Sequence, residues 1–332
     1  METFRAFRLH TIDDIIEGRL ESLALDDIDG GDVLIRTAYS AVNYKDAMAA
    51  HGIGRNVRAD PPCIGGIEMC GVVVESDDPA FAAGDKVMVA SGGLGVSHDG
   101  GFAEYLRSPA DWIVAVPEGL TLFEAMGMGA AGLTAALSVL RMEANGLTPD
   151  KGPVAVSGAT GGVGSLTVDL LAKRGYQVTA ITGKDDAHDY LRRLGASEVL
   201  SRHDIEMDDR PLAKMMWAGA VDTVGRELLV WLIKTTRMRG SVALCGGTAG
   251  FDLNMTVLPS ILRGVDLLGI NVSRALTMDD RRQLWRRLAT DLRPVHLDDI
   301  VRTIPLEGLP GVFDDMIDAA VTGRVVVDMA AT

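Results

Sequence analysis

Residues 153–164 read Pro-Val-Ala-Val-Ser-Gly-Ala-Thr-Gly-Gly-Val-Gly, a short apolar strand running straight into a glycine-dense turn. An amphipathic run follows over residues 165–174 and stops at Gly175. Glycine lets the backbone turn tightly and approach a pyrophosphate. The helix beyond it presents unpaired N–H groups and the positive end of its dipole. A glycine cluster alone is a weak signal, but strand, glycine turn and helix in that order predict a nucleotide site.

The same alternation continues outward. Apolar strand patterns at 154–157, 178–181, 198–200, 220–224, 241–245 and 266–272 are separated by helical patterns at 165–174, 187–194, 228–234 and 257–263. Strands joined by helical crossovers make a doubly wound parallel sheet. Gly158, Gly183, Gly225 and Gly246 follow four of these strands. Ligands of such sheets bind beyond the carboxyl ends of the strands, where small residues leave room.

The second strand carries the cofactor signal. Where an NAD binder usually places a carboxylate for the ribose hydroxyl, this chain has Thr182-Gly183-Lys184. A hydroxyl and an ammonium suit a 2′-phosphate, so NADPH is favoured over NADH. Asp185 and Asp186 follow at once and weigh against it. Arg202, after the next strand, can fold back to the same phosphate. The competing reading makes Lys184 and Arg202 ordinary solvated charges.

The first 125 or so residues differ in pattern. Strand-like stretches at 32–41, 71–76, 86–90 and 112–116 lie among Gly-, Pro- and Asp-rich turns, which predicts a compact, largely β domain. Residues 122–141 read as a buried helix joining the halves. Beyond residue 272 a charged helix (278–292), a strand (298–303), a helix (309–321) and a strand (325–329) form no further dinucleotide unit. The tail is therefore expected to rejoin the N-terminal domain. That gives one domain of residues 1–125 and 273–332 and a nucleotide domain of residues 126–272.

Composition narrows the function. The chain has 332 residues, 47% hydrophobic and 23% charged, with a net charge of −14. Such an acidic chain is not expected to take nucleic acid or an anionic membrane as its main partner. No unbroken apolar run reaches the ~18 residues of a membrane span. The opening Met-Glu-Thr-Phe-Arg-Ala lacks a signal peptide's apolar core, so a cytoplasmic protein is expected. Cys63, Cys70 and Cys245 are too scattered for a disulfide framework and too few for a four-cysteine zinc site.

Further segments carry a family resemblance. They are Ser40-Ala41-Val42-Asn43-Tyr44-Lys45-Asp46, Gly65-Gly66-Ile67-Glu68-Met69-Cys70-Gly71, Gly84-Asp85-Lys86-Val87 and Gly100-Gly101-Phe102-Ala103-Glu104, together with the 159–164 turn. The chain resembles the medium-chain dehydrogenase/reductase superfamily on its zinc-free quinone oxidoreductase side. With residues 217–225 and Ile261-Leu262-Arg263 added, it is similar to the acrylyl-CoA reductase (NADPH) family. The resemblance implies a discontinuous GroES-like β-rich catalytic domain and a Rossmann domain. Zinc-dependent relatives have a Cys where Asn43 or Tyr44 falls and Gly-His-Glu where this chain has Gly66-Ile67-Glu68. With thiolate and imidazole both missing, no catalytic metal is expected. Glu68 stands where zinc-free relatives more often have Asp.

The resemblance implies catalytic roles for Tyr44, in the cofactor cleft, and for Asn43 beside it. Lys45 and Asp46 can equally be a surface ion pair. The cofactor contacts it implies are Tyr44, Thr160, Gly161, Gly162, Val163, Thr182, Gly183, Lys184, Gly247, Ile261 and Val272, to which Arg202 is added. The expected substrate is a small molecule, an acyl-CoA thioester or a quinone, and a homodimer through the edge strand at 266–272 is expected. Arg55, Arg58, Arg274, Arg281 and Arg282 are candidates for the phosphates of CoA. Two alternatives stay open: an NADPH-dependent quinone or general enone reductase, and a nucleotide-binding sensor or structural protein without turnover.

Overall fold

The computed structural model describes residues 3–53, 58, 62–90, 92–207 and 209–331. It divides into two units. The first comprises Met1–Ala130, Ser273–Ala289 and Val301–Thr332, and the second Ala131–Val272 and Thr290–Ile300.

The first unit opens with an antiparallel hairpin, β1 (Phe4–Ile12) and β2 (Ile15–Leu23), which the sequence patterns did not separate. Then come β3 (Val33–Val42), helix α1 (Tyr44–Ala50), β4 (Cys63–Ile64), β5 (Met69–Ser76), β6 (Lys86–Val89), β7 (Tyr105–Ser108) and β8 (Ile113–Ala115). Helix α2 (Leu122–Ala144) starts here and crosses into the second unit. Alternating residues of β3, β5 and β6, among them Val33, Ile35, Met69, Val73, Val87 and Val89, face one buried cluster. A second cluster gathers Phe4, Phe7, Leu9, Phe102, Phe313 and Val325.

In the second unit β9 (Val154–Val156), α3 (Gly162–Lys173), β10 (Val178–Thr182), α4 (His188–Arg193), β11 (Glu198–Ser201), β12 (Trp217–Asp222), α5 (Arg226–Thr235), β13 (Thr236–Leu244), α6 (Leu258–Arg263) and β14 (Asp266–Gly269) alternate as the sequence predicts. Among the described residues the sheet is parallel throughout, in the order β11-β10-β9-β12-β13-β14. The order reverses beside β9, the position where ligands of such sheets bind. Ala155, Ile181, Ala220 and Val242 are completely buried, because central parallel strands are covered on both faces.

The tail is α7 (Met278–Leu288), α8 (Leu297–Ile300), β15 (Val301–Ile304), α9 (Leu309–Ile317) and β16 (Arg324–Asp328). Strand β16 pairs with β3 and places the tail's end in the sheet β15-β16-β3-β5-β6-β8 of the first unit. Residues 290–300 depart from expectation and belong to the second unit. The buried Asp169 carboxylate of α3 explains why. It accepts from the Val295 N–H at 2.7 Å and meets His296 Nδ1 at 2.6 Å. The stretch read as a strand at 298–303 is instead α8 followed by β15. The turn begins where the N–H groups of Asp299 and Ile300 both bond the His296 carbonyl.

Helix α2 is the buried helix expected over residues 122–141, extended to Ala144. It is long and apolar enough to cross a membrane, but 72% of its most apolar window is buried in the fold. That burial marks a core helix.

Candidate active site

In the second unit, β9 feeds directly into α3. Gly161 caps the helix and has no side chain to occupy the N–H groups of the first turn, which stay open to an anion. Residue 164 has to be glycine. A Cβ there would overlap the Gly158 carbonyl oxygen, and the helix could not approach the strand so closely. The adjacent ends of β9 and β12 are tied by Ser157, whose Oγ donates to Asp222 Oδ1 at 2.6 Å and accepts from the Thr223 N–H at 3.0 Å. Burial pushes the Asp222 carboxyl above its ordinary value, while that hydrogen bond and the Gly225 N–H oppose the shift. Sequence reasoning missed this pair. Its signal was a Ser and an Asp at the ends of two all-apolar strands.

At the end of β10, Thr182 Oγ1 accepts from the Lys184 N–H at 3.1 Å and closes a short turn. Burial pulls the half-buried Lys184 ammonium below its ordinary value. Arg202, just past β11, lies over this turn, where a Cβ on Gly183 would overlap its Nε. Thus Thr160–Val163 (160–163), residues 182–184 and Arg202 sit at the carboxyl ends of three adjacent strands. Gly247 follows β13 at the same end, and the buried Val272 lies beyond β14. Ile261 is not brought there. It lies on α6, 68% exposed, in a helix whose Arg263 bonds the carbonyls of Lys234 and Thr236 at the amino end of β13.

A phosphorylated dinucleotide fits this donor set, with open helix N–H groups for the pyrophosphate and two cations beside the turn after β10. No carboxylate lies within residues 182–184 themselves to repel an added phosphate.

In the first unit, Tyr44 opens α1 and is half-buried. Among the described residues its hydroxyl has no hydrogen-bond partner. Its neighbours are heavily engaged. Asp46 is no surface ion-pair partner for the exposed Lys45: it is 4% exposed, and its carboxylate accepts from the Asn43 N–H at 2.8 Å and the Ile67 N–H at 3.1 Å. Burial, with Glu68 nearby, raises the Asp46 carboxyl to about 7 against those two hydrogen bonds. The Asn43 amide turns inward. Its Nδ2 donates to Glu68 Oε1 at 2.7 Å, and its Oδ1 accepts from Arg324 Nη1 at 3.1 Å.

Glu68 and Arg324 form a buried ion pair at 2.6 Å. Arg324 went unnoticed in the sequence, although an arginine opening the apolar run Val325-Val326-Val327 is a detectable anomaly. A zinc ion does not fit here. Asn43, Tyr44 and Ile67 offer neither thiolate nor imidazole, and both Glu68 oxygens are already hydrogen-bonded. Among the described residues no three His, Cys, Asp or Glu side chains gather as a metal site requires.

The suggested CoA-phosphate cations are mostly committed elsewhere. Arg58 pairs with Asp29 and Asp99, Arg282 with Asp279, and the buried Arg281 donates to the Ala90 and Ser273 carbonyls. Arg55 lies outside the described residues. Cys63 and Cys70 are buried and Cys245 is partly so, and burial raises all three thiols, Cys63 and Cys245 to about 12. They are not poised nucleophiles.

A GroES-like unit and a Rossmann unit with an open-ended glycine turn define a nicotinamide-dependent oxidoreductase architecture. The family model "Alcohol dehydrogenase GroES-like domain" matches residues 29–118, and "Zinc-binding dehydrogenase" matches residues 162–290. A Bacillus subtilis (strain 168) protein named quinone oxidoreductase YhfP is 47% identical over 98% of this chain and 99% of its own. The Ruegeria pomeroyi protein named acrylyl-CoA reductase AcuI is 41% identical over 95% of each. The crystal structure of the yhdH oxidoreductase from Salmonella enterica in complex with NADP shares 41% identity and a TM-score of 0.94, covering 98% of this chain and 99% of that one. A structure of B. subtilis yhfP has NAD bound, at 46% identity and a TM-score of 0.94, covering 99% of this chain and all of that one. The chain belongs to the zinc-free quinone oxidoreductase branch of the medium-chain dehydrogenase/reductase superfamily.

Proposed function

We propose that this protein uses NADPH to reduce the activated C=C bond of acrylyl-CoA, giving propionyl-CoA without a metal. The observation that carries the reading is Tyr44. Among the described residues its hydroxyl is unengaged, while its helix is pinned by Asn43 and Asp46, in a chain similar along its length to a protein named acrylyl-CoA reductase. When bound, NADPH supplies a hydride to the β-carbon of the enoyl thioester. Tyr44 donates a hydrogen bond to the thioester oxygen, which gains negative charge as the α-carbon becomes nucleophilic. A proton then adds at the α-carbon, so one hydride and one proton are consumed per double bond. The open N–H groups at residues 162–164 hold the pyrophosphate, and Lys184 with Arg202 holds the 2′-phosphate. Asn43, whose amide is spent on Glu68 and Arg324, holds Tyr44 and does not touch substrate.

A second reading has its own support. The relative at 47% identity is named a quinone oxidoreductase, so a quinone or general enone reductase is the rival. Absorbance at 340 nm separates the two. The proposal expects fast oxidation of NADPH at micromolar acrylyl-CoA and slow, non-saturating oxidation with a benzoquinone. Activity with quinone alone moves the protein to the rival, and inactivity with both leaves a non-catalytic nucleotide binder.

The second copy of a homodimer is proposed to cover the β14 edge. Strand β14 pairs on one side with β13, and Phe251, Val257, Ile261, Leu262 and Leu267 nearby are exposed. An open apolar edge invites a partner.

A further inference from the structure

We infer that Glu68 and Arg324, acting through Asn43, are positioning residues that set the direction of Tyr44. The inference rests on the proposed roles of Tyr44 and Asn43 and adds Glu68 and Arg324 to them.

It begins with a break in α2. Gly129 has φ 48° and ψ −149°, which no helix accommodates, so the helix is interrupted there. The break frees carbonyls on one side and an N–H on the other, inside the fold. The buried ion pair satisfies both ends. Arg324 Nε donates to the Gly127 carbonyl at 3.3 Å and Nη2 to the Met126 carbonyl at 3.5 Å, a cation at a helix C-terminus. Glu68 Oε2 accepts from the Ala130 N–H at 2.5 Å, an anion at a helix N-terminus. Both charges match the helix dipoles they meet.

Asn43 is not needed for that capping, yet its amide bridges the pair, with one atom on each partner. A bridged amide cannot rotate without breaking two charge-assisted hydrogen bonds. Asn43 is the residue before Tyr44 and caps a helix of seven residues, too short for its own turns to define its direction. Asp46 fixes the same N-cap from the other side, through the Asn43 N–H. Among the described residues the Tyr44 hydroxyl has no hydrogen bond to orient it, so its placement comes from the backbone that carries it. A hydroxyl kept free for a ligand has to be aimed by its neighbours.

Asn43→Ala is the informative variant because it orphans neither charge. Arg324 Nη1 keeps the Val42 carbonyl, and the Glu68–Arg324 contact is untouched. Asn43→Ser, a good N-cap too short to reach Glu68, serves as a second variant should the first fold poorly. We expect either to lower kcat about tenfold with KM for NADPH unchanged. In a Tyr44→Phe background the same change should cost nothing further. Losses that multiply overturn the inference.

A readout independent of turnover uses 3-fluorotyrosine and 19F NMR on the five tyrosines. The Tyr44 resonance, assigned by its disappearance in Tyr44→Phe, should move or broaden in Asn43→Ala while the other four stay in place. A Tyr44 resonance that stays put overturns the inference, whatever the activity. A moved resonance with a fully active Tyr44→Phe leaves the positioning intact and removes the chemical role of Tyr44.

Discussion

Among the described residues the Tyr44 hydroxyl has no protein partner, so removing it is expected to cost the fold little and the reaction much. We expect Tyr44→Phe to lower turnover by about tenfold or more, because a donor to the developing oxyanion is lost, with NADPH affinity unchanged. Normal turnover in stopped-flow assays would exclude the hydroxyl from the chemistry. Lys184 makes a different contribution, since an ammonium favours a 2′-phosphate and hardly affects a free ribose hydroxyl. Lys184→Glu should therefore raise the Kd for NADPH much more than that for NADH, and calorimetric titration showing equal losses would remove the phosphate assignment. Asp46 gives a pH signature. Its folded carboxyl titrates at about 7, above the unfolded value near 4, so the folded state binds the proton more tightly. Its contribution to stability is full below about pH 4 and is lost as the pH rises to about 7. The melting temperature of Asp46→Asn should fall less steeply across that window than that of the natural protein, and parallel pH profiles would show that Asp46 does not titrate there.

Among the elements, α2 depends most on one residue. A Cβ at position 129 would overlap Glu68 Oε2 and crowd Arg324 Nη2, in a backbone conformation that side chains rarely adopt. Gly129→Ala is thus predicted to destabilise the protein by about 3 kcal/mol or more, the cost of strain combined with a disturbed buried ion pair. Urea unfolding with an unchanged slope and a lower midpoint would report it; an unchanged midpoint would mean that the ion pair can shift aside. The same element shows where sequence patterns mislead. A helical reading of residues 122–141 is right in kind, but nothing in Met126-Gly127-Met128-Gly129 tells which glycine breaks the helix. That choice belongs to Glu68 and Arg324, which are remote in the chain. Helix α1 is a similar case: Asn43 with Asp46 is the start of a cap, but its seven residues are too few to show a period.

For the molecule as a whole, the exposed apolar residues beside β14 predict a dimer. Sedimentation should give about twice the chain mass of 35.3 kDa, and Leu267→Lys, placing a charge on the edge strand, should give monomers. A natural protein that sediments as a monomer at micromolar concentration would refute the shared edge. The alternation of strand and helix from residue 154 to 269 was readable because each signal is local: apolar period, glycine at the turn, small residues at strand ends. So was the nucleotide turn, whose Gly164 is dictated by sterics against Gly158 and Ala159 a few residues earlier. The candidate site was legible only in part. Tyr44 and Asn43 came from resemblance, while the inward-facing amide of Asn43, the capping role of Asp46 and the Glu68–Arg324 pair did not. The assignment of residues 290–300 to the second unit also hung on contacts remote in sequence, such as Asp169 with Val295 and His296 and Lys173 with the Arg293 carbonyl. The sequence by itself determined the Rossmann order, the glycine turn and the absence of zinc ligands at residues 43, 44 and 67, because these depend on residue type and short-range geometry. Only the tertiary structure decided which buried charges meet. Glu68 and Arg324 are 256 residues apart, and their pairing answers a desolvation cost that arises only once the chain has closed around them.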